Sequence, residues 1–118
     1  MERVLGIGGY FMRASDPTAL AAWYRESLGL ETDEYGSWQQ QPGQTVFAPF
    51  ASDTEYFGSP TQQTMLNFRV RNLDAMLAQL REKGAKVSVD IQDMDGVGRF
   101  GWVTDPEGNR IELWQPAD

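Results

Sequence analysis

The stretch Tyr10-Phe11-Met12-Arg13-Ala14-Ser15-Asp16-Pro17, running on into Leu20-Ala21-Ala22-Trp23-Tyr24-Arg25-Glu26-Ser27-Leu28-Gly29, decides the fold, because its pattern occurs twice. Val4 to Ala14 is rich in β-formers and glycine and reads as a strand. Asp16 is a natural helix cap and Pro17 suits the first helical position. Leu20, Tyr24 and Leu28 then recur every four residues, an apolar stripe on one helical face, and Gly29 stops it. Fifty-six positions later the same order returns. Thr64 to Arg71 reads as a strand, Asn72 as a cap, Leu73, Met76, Leu77 and Leu80 as the stripe, and Gly84 as the stop. The slide brings Arg13 onto Arg69, Asp16 onto Asn72, Ala22 onto Ala78 and Arg25-Glu26 onto Arg81-Glu82. Identities that coincide with matching strand, cap and helix boundaries indicate an internal repeat.

Shorter strand-like runs follow each helix. They are Glu31–Tyr35, Ser37–Gln41 and Gln44–Phe50 in the first half, and Lys86–Ile91, Arg99–Thr104 and Arg110–Trp114 in the second. Gly36, Pro42-Gly43, Asp95-Gly96 and Pro106-Glu107-Gly108-Asn109 supply the turns. Each half therefore reads βαβββ. The expectation is an α+β fold of two such modules, forming curved mixed sheets around a cleft with helices on the outer faces. The 118 residues suit one domain: module one at 1–50, a joining segment at 51–62 and module two at 63–118.

Composition narrows the chemistry. There is no cysteine, so no disulfide, thiolate metal site or thiol nucleophile. There is no histidine, so the commonest general base and metal ligand is missing. Seventeen acidic residues against ten basic ones leave a net charge of −7, which disfavours nucleic acid and anionic membrane surfaces as partners. No apolar run is long enough to span a bilayer, and Met1-Glu2-Arg3-Val4 lacks the layout of a signal peptide. The expected location is the cytoplasm.

The repeat and two signatures together resemble the vicinal oxygen chelate superfamily, which includes glyoxalases, bleomycin-resistance proteins and extradiol dioxygenases. The first signature is Tyr10 to Asp16 followed by a helix ending Trp23-Tyr24-Arg25-Glu26-Ser27-Leu28-Gly29-Leu30. The second is the hairpin and last strand Asp105-Pro106-Glu107-Gly108-Asn109-Arg110-Ile111-Glu112-Leu113. Asp-Pro starts a tight turn and Gly and Asn tolerate positive φ, so Asp105 to Asn109 also has a purely structural reading.

In metal-dependent members of that superfamily four inward side chains hold a divalent ion, two from the first strands and two from strands that end each half. The resemblance places these positions at Gly9, Met65, Ala48 and Glu112. Only Glu112 is a ligand type suited to a hard cation, so no metal cofactor is expected. Strand alternation adds Phe11, Arg13, Asn67 and Arg69 to the face of Gly9 and Met65, and Trp114 to the face of Glu112. Leu66, Phe68, Val70, Ile111 and Leu113 then face the helices.

The ligand-binding candidates are thus Phe11, Arg13, Met65, Asn67, Arg69, Glu112 and Trp114. Glu112 has two readings: a ligand-binding or acid/base carboxylate, or half of a structural ion pair with Arg69 or Arg13. Of the aromatics Trp38, Phe47, Phe50, Tyr56, Phe57, Phe100, Trp102 and Trp114, most read as core and some as surfaces for stacking against a flat or cationic ligand. Asp53, Glu55, Tyr56 and Phe57 have two roles open, a lid or a dimer contact. Asp93, Asp95 and Gly96 read as an acidic turn rather than a calcium loop.

Two functions follow from the resemblance. One is a metal-independent binding protein for a small molecule, like the bleomycin-resistance branch. The other is a lyase- or isomerase-like, glyoxalase-related enzyme that uses Glu112 as acid or base, or as the remaining metal ligand. The resemblance also implies a homodimer, with the cleft built across its two-fold axis.

Overall fold

The computed structural model describes all 118 residues. Helix α1 is Pro17–Leu28, where the Asp16 carboxylate accepts from the Ala19 N–H at 3.1 Å and Gly29 ends the helix at φ 72°. Helix α2 is Leu73–Glu82, where the Asn72 side chain accepts from the Ala75 N–H at 3.0 Å. Both caps and the repeated boundaries fall where the sequence places them, because each satisfies backbone donors that a helix leaves open.

Five strands form one mixed sheet: β1 Asn67–Arg69, β2 Lys86–Val87, β3 Gln92–Met94, β4 Gly98–Thr104 and β5 Arg110–Pro116. The order is β1-β5-β4-β2, with β3 also on β4. β1 runs parallel to β5, pairing Asn67 with Glu112 and Arg69 with Trp114. β4 and β5 are antiparallel and pair Trp102 with Glu112 and Phe100 with Trp114. Crossing from β1 to β5 through α2 and the hairpins is what lets two parallel strands be neighbours.

One face of the sheet carries the core. Val103, Ile111 and Leu113 pack under Leu73, Leu77 and Leu80 of α2 and Leu20 and Tyr24 of α1. Leu66, Phe68 and Val70 join from β1 and its flanks, and Met12 and Ala14 from the first segment. Phe68 on β1 and Ile111 and Leu113 on β5 thus face the helices, as the alternation of the second half predicts. Gly101 is closely covered by this packing, since a Cβ there would lie 3.2 Å from a Leu77 methyl.

The first half departs from the expected second set of strands. Val4–Ala14, Glu31–Tyr35, Ser37–Gln41 and Gln44–Phe50 form no sheet. Residues 1–14 and 38–50 make no backbone–backbone hydrogen bond at all. The local residue preferences are those of strands, but a strand needs a paired neighbour, and none of these segments pairs as a strand with the outer edge of β1 or with one another. In the second half, the expected strand at Thr64–Arg71 narrows to Asn67–Arg69, and Lys86–Ile91 shortens to Lys86–Val87, with Gln92–Met94 as a separate strand.

Candidate functional site

The sheet face opposite the core carries Phe100 and Trp102 from β4, and Arg110, Glu112 and Trp114 from β5. Glu112 is 7% exposed. Both of its oxygens are acceptors: the Tyr56 hydroxyl donates to Oε2 and the Asn67 amide donates to Oε1 at 2.7 Å. The register places Asn67 directly beside Glu112. Tyr56 arrives from the joining segment.

That segment is tied down by a small network. Gln62 and the Arg110 backbone exchange two hydrogen bonds, at 2.8 and 2.9 Å. The Arg110 guanidinium donates through Nε to the Tyr56 carbonyl at 3.1 Å and lies 4.9 Å over the Trp102 ring. Tyr56 meets Trp102 edge-on and is stacked by Phe50. Burial first, then donation to the Glu112 carboxylate, pushes the Tyr56 phenol well above the ordinary tyrosine range. Tyr56 therefore stays a neutral donor.

The expected Glu112–Arg69 or Glu112–Arg13 ion pair does not form. Arg69 donates instead to the Gln41 carbonyl at 2.8 Å, and its guanidinium passes against Gly43, where a Cβ would leave no room for it. Arg13 is exposed and makes neither a hydrogen bond nor an ion pair. The physical reason is that neutral donors from Tyr56 and Asn67 already meet the carboxylate at short range. A desolvated guanidinium would have to displace them.

Phe100 and Trp114 lie with ring planes 3° apart and centroids 6.1 Å apart. The Trp114 indole donates to the Val97 carbonyl at 3.0 Å, which locks its plane. The Trp102 indole N–H is buried without an acceptor. In the sequence Trp102 belongs to a group of aromatics read mostly as core, and Tyr56 to that group and to a segment with lid and dimer-contact roles open. Trp102's place was legible in principle from its spacing to Phe100 on one strand, whereas Tyr56 carries no local signal.

An open hollow of about 2620 Å³ borders Phe100, Glu112 and Trp114 of this face and extends to Leu20 and Tyr24 of α1. Phe11, Met65, Asn67, Arg69, Glu112 and Trp114 all border it, whereas Arg13 does not. Gly9 and Ala48 border it too, so the positions that hold a metal in metal-dependent relatives share one space with Glu112. They do not fit a divalent ion. Glycine, alanine and a thioether offer no hard donor, and Glu112 already accepts from two protein groups. No group of three or more His, Cys, Asp or Glu side chains converges anywhere in the molecule.

A glyoxalase-like domain model matches residues 10–114. Among solved structures, the chain is similar to TnmS3, an antibiotic binding protein from Streptomyces sp. CB03234. The two share 25% identity over 99% of this chain and 100% of that one, at a TM-score of 0.67. It is similar in fold to a glyoxylase/bleomycin resistance protein/dioxygenase domain from Frankia sp. EAN1pec, with 16% identity over 98% and 100% of the two chains and a TM-score of 0.64. A member of the same superfamily from Sphaerobacter thermophilus DSM 20745 shares 20% identity over 86% and 90%, at a TM-score of 0.55. No curated protein sequence matches the chain.

Proposed function

Since the chain belongs to the glyoxalase/bleomycin-resistance superfamily, we propose that it is a small-molecule-binding protein that takes a flat, neutral or cationic ligand against the Phe100–Trp114 face beside Glu112. The observation that carries this reading is the pairing of a rigid aromatic surface with one buried carboxylate whose hydrogen-bond partners are all neutral. Phe100 offers a half-buried ring to a planar ligand, with the buried Trp114 behind it at the border of the hollow, and the uncompensated carboxylate favours a donor or a positive charge over an anion. A net charge of −7 biases the whole molecule the same way. Similarity to an antibiotic binding protein along the full length of both chains supports a carrier or sequestering role. In this reading the hollow is the cleft of the family's curved sheets, and no divalent metal takes part.

A thermal-shift and tryptophan-quenching panel tests it, with the planar cation ethidium, the planar anion fluorescein and a set of polycyclic aromatic antibiotics. Saturable quenching by planar cations or neutral polycycles, lost in Trp114→Leu, is the expected result. Absence of any saturable binder, or binding indifferent to Trp114, overturns it. The enzymatic reading gives Glu112 an acid/base role. Glu112→Gln separates the two: a binding protein keeps or weakens affinity, whereas an enzyme keeps binding and loses turnover of a bound carbonyl compound.

A further inference from the structure

The buried carboxylate of the sheet face is not free to meet a ligand directly. Glu112 is 7% exposed, and each of its oxygens already accepts a hydrogen bond, one from Tyr56 and one from Asn67. Asn67 differs, being exposed and bordering the hollow. The parallel pairing of β1 with β5 sets it directly beside Glu112, and side chains of paired residues share one face of a sheet.

The direction of the Asn67–Glu112 bond fixes which end of the amide is left for a ligand. A carboxylate only accepts, whereas an asparagine amide donates at one end and accepts at the other. Nδ2 therefore turns to Glu112, at 2.7 Å, and Oδ1 accepts no hydrogen bond from the chain. The neighbouring polar groups of this face are donors already in use. The Trp114 indole donates to the Val97 carbonyl, and Arg69, which has no acceptor atom in its side chain, donates to the Gln41 carbonyl. Asn67 Oδ1 is thus the open acceptor among the strand side chains that border the hollow.

We infer that Asn67 is the residue by which the ligand site selects, its Oδ1 accepting from an N–H or O–H on the rim of the ligand, and that Glu112 is a positioning residue that holds the amide in that sense. The inference rests on the ligand reading and narrows its ligand class to a planar neutral or cationic compound with an amino or hydroxyl donor at its edge. Charge alone does not make this choice, because Arg69 stands two residues from Asn67, also borders the hollow and opposes the charge of Glu112. An ether oxygen in the donor's place would face Oδ1 acceptor to acceptor and forfeit the bond. Tyr56 makes the arrangement one-sided. Its hydroxyl donates to Glu112 Oε2, so an amide replacing that carboxylate keeps its oxygen toward Tyr56 and turns its NH2 toward Asn67. The Asn67 amide must then reverse and offer N–H to the hollow.

The test compares two cations of equal charge and similar shape by tryptophan quenching on the full chain: ethidium, and its analogue with both amino groups replaced by methoxy groups. Conjugation to the ring cation leaves the amino groups as donors, whereas the methoxy oxygens only accept. Wild type should bind ethidium about tenfold tighter, the scale of one hydrogen bond. Glu112→Gln should abolish or reverse that ratio. Loss of the carboxylate charge weakens both cations alike, so the ratio reads the orientation of Asn67 and not the charge. If that variant does not fold, NMR of wild type decides: an Asn67 Nδ2 proton should stay protected from exchange when ethidium is bound, and its loss of protection on binding overturns the inference. Equal binding of the two probes by wild type, or a ratio unchanged in Glu112→Gln, overturns the inference and leaves the ligand reading standing. If neither probe binds, the inference falls, and binding of the neutral polycycles decides the ligand reading by itself.

Discussion

The Tyr24 hydroxyl donates to the Asp105 carboxylate at 2.7 Å, joining a helix of the first half to a hairpin of the second across 81 residues. Both groups are buried. Asp105 also accepts from the Glu107 and Asn109 backbone N–H groups and the Asn109 amide, so it organises the hairpin and anchors the helix at once. Tyr24→Phe removes one donor from a buried carboxylate and leaves the rest. The expected loss is about 2 kcal/mol, the scale of a hydrogen bond to a charged group. Urea denaturation at neutral pH checks it; an unchanged midpoint would show that the bond contributes nothing net.

Tyr24 and Tyr56 both have their phenols pushed up, by burial first and by their carboxylate partners second. A group whose folded pKa is raised keeps its contribution below the unfolded value, about 10 for tyrosine, and loses it as the pH climbs above. Above that point the unfolded chain releases protons that the folded chain retains, so stability falls with pH. Wild-type protein should therefore hold a flat unfolding free energy from neutral pH to about 10 and decline beyond it. Tyr56→Phe should decline less steeply, as measured by denaturation at closely spaced alkaline pH values. Equal slopes would contradict the placement of Tyr56.

Glu107 accepts from the Ser15 and Asp16 N–H groups at 2.6 and 2.9 Å, just ahead of α1. Those bonds, that to Asp16 first, hold its carboxyl below the usual glutamate range. The sign is opposite to that of the tyrosines. The contribution is present above the unfolded glutamate value and is lost as the pH falls through the lower folded one. Glu107→Gln should therefore be less stable than wild type at pH 7, and the gap should close in strong acid. A gap that persists undiminished at pH 2 would mean that the amide lacks something other than charge.

Gly98 sits at φ +139°, and a Cβ there would come within 2.2 Å of the Gln115 carbonyl oxygen and 2.8 Å of the Trp114 indole nitrogen. Gly98→Ala must move the β4–β5 backbone or the indole, at a cost of about 2–4 kcal/mol. Because Trp114 forms one face of the proposed ligand site, the same change should weaken ligand quenching. A variant as stable as wild type would show that the β3–β4 turn relaxes freely.

Glu112→Gln and Tyr56→Phe should couple. Each removes one side of a buried hydrogen bond, and the double variant should cost less than the sum of the singles by 0.5 kcal/mol or more. Additive losses would place the two side chains out of contact.

Much of this molecule was legible in its sequence. The two helices are bounded by Asp16–Gly29 and Asn72–Gly84 because capping is a local transaction between a side chain and the next few amides. The facing of Ile111 and Leu113 away from Glu112 and Trp114 follows from the two-residue period of a strand. The family signature at Asp105 to Leu113 was equally plain, since the hairpin's geometry is written in its own residues. What escaped was the partner of Glu112. Its carboxylate meets Tyr56, 56 residues away, rather than Arg69 or Arg13, and no spacing rule connects a joining segment to the floor of a sheet.

The chain's residue order by itself settled its helices, its turns, the face each second-half side chain takes, and the scarcity of metal-binding donors, because all of these depend on near neighbours or on composition. Only the three-dimensional arrangement decided that Glu112 is held by neutral groups, that Arg69 turns to Gln41, and that the first-half strands lie unpaired. Those outcomes depend on which distant edges and side chains arrive within hydrogen-bonding range, and a hydrogen bond is decided by distance in space rather than by distance along the chain.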